Sequence, residues 1–242
     1  MRVADPCVQP LKLLAFETAT EACSVALSID GELRERFEIA PRRHAELALP
    51  WAEALLAEAG IAKSQLDAIA VGRGPGAFTG VRLAIAIAQG IALALDKPVV
   101  PVSTLAVLAM RGEGPRVLAA IDARMGEVYA AAFHREGEKM ALLSAESVGA
   151  PELVRLPDAD ANWEGVGTGF AAVEGYLRQG LASQLCRVDA AALPHAADLA
   201  RLAAAAFARG ESVAPERLEP AYLRDNVALT LAQQQALRDS RR

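Results

Sequence analysis

Val71-Gly72-Arg73-Gly74-Pro75-Gly76-Ala77-Phe78-Thr79-Gly80-Val81-Arg82 joins two apolar runs of unequal length. Residues 66–71 before it read as a buried strand, and residues 81–95 after it are long enough for about four helical turns. A glycine-dense turn between strand and helix lets the backbone take positive φ and come close to whatever lies opposite. Thr79 stands where it can cap the helix, whose first N–H groups would point out of the loop. Two readings stand: an anion cradle, or a tight turn closed by a capping threonine. No lysine follows the last glycine, which excludes a phosphate-binding P-loop. The spacing Gly72, Gly74, Gly76, Gly80 also misses the dinucleotide fingerprint.

The chain around this loop has 242 residues, enough for one large domain or two small ones with a substantial core. Hydrophobic residues make up 53% of it, and the excess is alanine, leucine and valine rather than aromatics, which are only 5%. Stacking platforms for single-stranded nucleic acid are therefore not expected. A net charge of −5 gives no basic face to hold RNA, so a role in RNA chemistry requires a partner that does the binding. Cys7, Cys23 and Cys186 are odd in number, widely spaced and form no CxxC, which suits free thiols in a reducing compartment. Residues 1–10 lack an apolar signal core. No uninterrupted apolar run reaches the roughly 18 residues of a membrane span, because residues 81–95 contain Arg82 and Gln89. The expectation is a cytoplasmic protein.

The chain reads as one plan carried out twice. Residues 11–17 form an apolar strand ending in Glu17, residues 23–29 alternate as a second strand, Asp30-Gly31 turns, and residues 32–39 form a third. Residues 117–122 restart the plan with a strand ending in Asp122. Strands over 128–133 and 139–143 follow, with Glu136-Gly137 as the turn. Each set leads into alternating helix and strand. In the first half these are residues 44–59, 66–71, 81–95, 98–102 and 103–110. In the second half they are 151–156, 163–166, 169–179, 185–188 and 195–208. Three antiparallel strands followed by βα units predict a mixed sheet with helices on it. Carried out twice, this predicts an α/β fold of two ribonuclease-H-like subdomains. The divisions are an extension over 1–10, a first subdomain over 11–110, a second over 111–225 and a polar tail over 226–242. Residues 111–115, Arg-Gly-Glu-Gly-Pro, are the expected joint, exposed enough to invite proteolysis.

Glu17 and Asp122 close the first strand of each half. In nucleotide-binding versions of this architecture an acid there positions metal and phosphate; the other reading is a carboxylate capping its own turn, beside Thr18, Thr20 and Ser24. A sugar-kinase-like site also wants a Gly/Thr-rich phosphate hairpin after Glu17. Thr18-Ala19-Thr20-Glu21-Ala22 has no glycine and adds a negative charge. His44, His134 and His195 include no i, i+4 pair, so no metal site is expected, and His134 and His195 read as surface residues. No GxSxG, no supported Cys/His pair and no paired-carboxylate motif occurs. The chain shows no catalytic residues of its own, and no cofactor is expected beyond nucleotide bound weakly or only within a complex.

Two helices carry more information. Residues 81–95 are apolar on both faces apart from Arg82 and Gln89, and one sheet covers only one face. Ala86, Gly90 and Ala94 recur at i, i+4, i+8, a stripe that admits close approach of another helix. In residues 46–59, Leu47, Trp51 and Leu55 share one line with Ala48, Ala52 and Leu56 beside it, and Pro50 should bend the helix or mark its first turn. Packing within the domain and a helix-mediated subunit interface are both open. The surface expected for a partner takes in His44, Leu47, Trp51, Phe78, Arg82, Ala86, Gly90 and Ala94, and a homodimer is expected when the chain is alone.

Leu14-Ala15-Phe16-Glu17-Thr18-Ala19-Thr20, Ser24-Val25-Ala26-Leu27, Arg43-His44-Ala45-Glu46 and the glycine segment come in the order and spacing of a known family. Asp122-Ala123-Arg124, Glu127-Val128-Tyr129 and Pro220-Ala221-Tyr222-Leu223-Arg224-Asp225 extend the match. The chain resembles the TsaB family, also called YeaZ, of bacterial tRNA threonylcarbamoyladenosine biosynthesis proteins, over residues 11–225. Two departures are mild: the family usually has Asp at the position of Glu17 and often Ser at that of Ala77. The resemblance implies the fold of the actin, sugar kinase and chaperone ATPase superfamily. It further implies a non-catalytic paralogue of TsaD that acts with TsaD and TsaE in threonylcarbamoylation of adenosine 37 of tRNA. The rivals are an ATP-dependent small-molecule kinase, which needs the missing phosphate hairpin, and a metallopeptidase, which needs the missing histidine pair.

Overall fold

The computed structural model describes residues 11–137, 139–158 and 162–224. The predicted extension over 1–10, the tail over 226–242 and Asp225 of the last motif lie outside them.

Alternation within the early strands sets up the first sheet. β1 (Lys12–Glu17) pairs antiparallel with β2 (Ala22–Ile29), and β2 with β3 (Glu32–Ile39). β4 (Ala68–Gly72) adds parallel to β1, and β5 (Val99–Val102) parallel to β4. The order is β3-β2-β1-β4-β5. Leu14, Phe16, Val25, Leu27, Ile69 and Val71 face α1 (His44–Ala59) and α2 (Phe78–Leu95) in one core. Their alternates Leu13, Ala15, Ala26, Ala68, Ala70 and Val100 face α5 (Ala196–Ala208) in another. Every residue of β4 is buried, as a central parallel strand covered on both faces requires.

The second sheet repeats the topology. β6 (Arg116–Arg124), β7 (Glu127–Glu136) and β8 (Lys139–Leu142) form the antiparallel set. β10 (Trp163–Val166) and β11 (Leu185–Asp189) add parallel, giving β11-β10-β6-β7-β8. One strand was not expected: β9 (Ser147–Gly149), which pairs with β7.

The helices are exchanged between the sheets. α3 (Thr104–Ala109) follows the last strand of the first sheet, yet Leu105, Leu108 and Ala109 pack with Val117, Ala119, Ile121 and Phe133 of the second. α5 follows the last strand of the second sheet and packs on the first. A division at residue 111 therefore separates the sheets and not the helical layers. The reason is an anchor on β2 and β3: Ser24 and Glu35 accept the N–H groups of Ala196 and Ala197 at 2.8 and 3.1 Å, taking up donors that a helix leaves unpaired at its start. His195, expected on the surface, stacks on Phe37 at 4.1 Å and bonds through Nδ1 to Glu35 at 3.0 Å. Burial pushes the Glu35 carboxyl up, but the bonds from His195, Ser24 and the Ala197 N–H outweigh it and hold the group below its ordinary value.

Other local expectations need correction. α1 runs unbroken through Pro50, so that proline does not mark the first turn. Residues 151–156 and 169–179 are short turns rather than full helices: single 3-10 turns at Pro151–Leu153, Thr168–Phe170 and Val173–Gly175, then α4 (Tyr176–Gly180). The joint over 111–115 is held down. Glu164 accepts the Glu113 N–H at 2.7 Å, Arg135 donates to the Gly112 carbonyl, and Gly112 itself is buried. Arg111, Glu113 and Pro115 nevertheless face solvent.

Candidate functional site

The glycine loop is filled by the molecule itself. A Cβ at Gly72 would lie 2.0 Å from the Glu17 carboxylate, one at Gly76 2.4 Å from the Ala19 carbonyl, and one at Gly80 2.0 Å from the Thr18 carbonyl. The Ala77 N–H donates to Ala19 O at 2.7 Å, and Thr18 Oγ1 donates to Gly80 O at 2.7 Å. Where an anion cradle would hold phosphate, residues 17–19 of the chain are packed. The glycines are there for that approach. Thr79 caps nothing: α2 begins at Phe78, and its N-cap is Ala77, which has no side-chain acceptor. The capping hydroxyl belongs instead to Ser103, which accepts the Ala106 N–H at the start of α3.

Glu17 sits inside this packing and is 1% exposed. Its Oε1 accepts the Ala19 N–H at 2.8 Å and its Oε2 the Thr104 hydroxyl at 3.1 Å. Burial pushes the carboxyl up from 4.5 to about 7, against the opposing pull of the Ala19 N–H, the Thr104 hydroxyl and the Thr18 N–H. Of the two readings of Glu17, the geometry matches the turn cap. Asp122 also caps its own turn: Oδ1 accepts the Arg124 N–H and Oδ2 the Arg124 guanidinium, both at 2.8 Å. Asp122 lies in the wall of a cleft of about 860 Å3 between the two halves. Residues 76–83, 121–125 and 220–224 contribute to that cleft. Among the described residues no group of three or more His, Cys, Asp and Glu is arranged to hold a metal.

The residues predicted for a partner surface separate into three groups. His44 lines the cleft, its Nε2 within 3.0 and 3.2 Å of the Thr20 and Ala22 carbonyls. Leu47 and Trp51 are half-buried and pack against the core under α1 and α2. On α2, Ala84, Ile85, Ala88 and Ala92 bury against the sheet, while Ala86, Gly90, Leu93 and Ala94 lie exposed on the other side. Phe78 is 62% and Leu93 54% exposed, and a Cβ added at Gly90 would meet nothing within 4 Å. α2 is in fact long and apolar enough to cross a membrane, with mean hydropathy 1.7, because it starts at Phe78 and gains the residues that the run 81–95 lacked. Packing on the sheet accounts for one of its faces and leaves the stripe of small residues open.

Arg82 is the one charged residue of α2. Its guanidinium lies 3.3 Å from the Phe78 ring centroid and 5.0 Å from that of Tyr222, and donates to the Tyr222 hydroxyl at 2.7 Å. Tyr222 and Arg224 enter the cleft wall from far along the chain and were not among the predicted site residues. Their signal was the motif over residues 220–225, to which no role was attached.

A family profile described as "TsaD: tRNA N6-adenosine threonylcarbamoyltransferase" matches residues 38–231. The tRNA threonylcarbamoyladenosine biosynthesis protein TsaB of Escherichia coli is 43% identical over 230 residues, spanning 90% of this chain and 96% of that protein. TsaB of Haemophilus influenzae is 39% identical over 91% of this chain and 96% of its own length. YeaZ from Pseudomonas aeruginosa superimposes with a TM-score of 0.83 at 48% identity, covering 88% of this chain and all of that one. These neighbours have the actin-like ATPase fold, and the two mixed sheets with their helices are that fold here.

Proposed function

The chain belongs to the TsaB family and has a role in tRNA threonylcarbamoyladenosine biosynthesis; on that premise we propose that it acts there as a non-catalytic docking subunit. Its partner would be TsaD, the family's transferase, with TsaE recruited to the assembled pair. The exposed stripe Ala86, Gly90 and Ala94 on an 18-residue apolar helix carries this reading. A helix that buries one face on its own sheet and leaves an apolar second face in water fits a surface waiting for another helix. Without TsaD, the same stripe is expected to meet its own copy across a two-fold axis.

The filled glycine loop supports the non-catalytic part. The β1–β2 turn over residues 18–22, where a kinase would place its phosphate hairpin, has no glycine, carries the negative Glu21 and packs into the glycine loop, which disfavours the kinase reading. The decisive experiment reconstitutes the modification from TsaD, TsaE, tRNA and threonylcarbamoyl-adenylate with and without this chain. Loss of product on omission is expected, and full activity without it would refute the proposal. A kinase would instead bind Mg-ATP alone in calorimetry.

A further inference from the structure

The segment after α5 crosses the molecule, firmly anchored over residues 213–218 and held by fewer groups over residues 219–224. Val213 and Val99 exchange backbone hydrogen bonds of 2.8 and 2.9 Å, Gln89 of α2 donates to Pro215 O at 2.9 Å, and Leu218 is buried in the core under α1 and α2. The next six residues leave that anchor and run along the mouth of the cleft. The Ala221 N–H donates to Arg73 O in the glycine loop at 2.8 Å. Tyr222 covers Arg82 of α2. Arg224 then reaches the β6–β7 hairpin of the opposite half, where it donates to Ala123 O at 3.2 Å and to the Glu127 carboxylate. Four residues thus bind the loop, the open helix and the far side of the cleft. Tyr222 is 62% exposed and its contacts with Arg82 lie in water, where such contacts are individually weak.

We infer that residues 219–224 are a latch, anchored at Leu218 and closed by Arg224 on the β6–β7 hairpin, which lifts as a unit to open the cleft and free Arg82. The division of labour along the segment supports this. Apolar burial and paired backbone groups hold residues 213–218, whereas one backbone bond at Ala221 and the side chains of Tyr222 and Arg224 hold residues 219–224, and segments held by few groups open without global unfolding. The latch is independent of whether TsaD docks on α2.

Residue-resolved amide hydrogen exchange on the full chain tests it. The reporters are the Ala221 N–H on one bank, bonded to Arg73 O, and the Arg124 N–H on the other, bonded to Asp122. Arg224→Ala should speed exchange at both about tenfold while the amides of β1 and β4 keep their protection. Glu127→Ala removes the catch from the opposite bank and leaves the strap's sequence intact, so it must give the same response at Ala221. Arg224→Lys, which keeps the charge, should restore part of the protection. An Ala221 amide unchanged in either alanine variant would mean that Arg224 and Glu127 do not hold Ala221 against Arg73, and the latch would be overturned. Faster exchange throughout both sheets would overturn it as well, because it would make Arg224 a general stabiliser.

Discussion

The two halves carry a carboxylate at or near the end of their first strand, Glu17 closing β1 and Asp122 two residues before the end of β6, and treat it in opposite ways. Glu17 is sealed under the glycine loop, bonded to Ala19 and Thr104, and pushed by burial to about 7. Asp122, at the same place in the repeated topology, lies in the cleft wall and spends its oxygens on Arg124 of its own hairpin. The difference comes from the segments after β4 and β10. β4 leads through glycines into a long helix that clamps residues 17–19. β10 leads into 3-10 turns, from which Thr168 accepts the Asp122 N–H at 3.1 Å. One duplicated plan has yielded one acid sealed inside its own half and one that faces the cleft.

The contrast breaks most severely at Gly80. Alanine there would set a Cβ 2.0 Å from the Thr18 carbonyl, a backbone atom that cannot swing aside. A loss of about 3 kcal/mol or more in urea unfolding is expected. In the hairpin of the other half, a Cβ at Gly126 would meet nothing, so Gly126→Ala should cost only the strain of its positive φ, about 1 kcal/mol. Equal losses would mean that the clamp on residues 17–19 is no tighter than an ordinary turn.

Next comes the pH dependence of the sealed carboxyl. The folded chain holds the Glu17 proton up to about pH 7, whereas the unfolded chain releases it near 4.5. Between those values the folded state binds more protons, so its stability falls as pH rises, by up to about 3 kcal/mol, and the full penalty stands above pH 7. Glu17→Gln cannot ionise and should abolish that slope. A slope that persists in the glutamine variant would assign it to another group.

Gly90→Leu sharpens the comparison from the outside. No atom stands near that position in the isolated chain, and leucine favours helix over glycine, so the monomer should stay as stable or gain slightly. Binding to TsaD and self-association should both weaken by about tenfold or more, because overpacking at a close helix contact costs on the order of 1–3 kcal/mol. Unchanged sedimentation and unchanged TsaD binding would move the interface off α2. The smallest effect belongs to Asp122→Asn, which weakens a contact with a well-exposed arginine and should change unfolding stability by less than about 1 kcal/mol.

The repeat was legible because strand alternation and the acids near the strand ends are local signals: the two antiparallel sets and the long helices follow from them, whereas the order of the strands across each sheet and the short β9 rest on pairings that no local signal carries. The glycine loop was legible as a turn of close approach, but its occupant was not, because nothing local says that residues 17–19, remote in sequence, lie against it in space. α5 was readable as a helix and unreadable in its placement, since the groups that dock it, Ser24 and Glu35, stand on alternating strands where they look like ordinary solvent-facing residues. The cleft residues Tyr222 and Arg224 sit in a stretch without periodicity, so no pattern could have brought them to α2 and the β6–β7 hairpin. The segments after β9 and β10 fall short of the predicted helices because the first is only six residues long, too few to nucleate, and the second is interrupted at Glu174 and Gly175, both at positive φ.

The exchange of α3 and α5 has a consequence for the order in which the molecule is made. When a ribosome has released residue 110, every strand of the first sheet exists, but the face formed by Leu13, Ala15, Ala26, Ala68, Ala70 and Val100 lacks most of its cover until α5 emerges about a hundred residues later. At roughly 5–20 residues per second that interval lasts several seconds, long enough for a chaperone to find the bare sheet. The first half is complete in sequence long before it is complete as a folded body, because its last layer comes from a helix made after the second sheet.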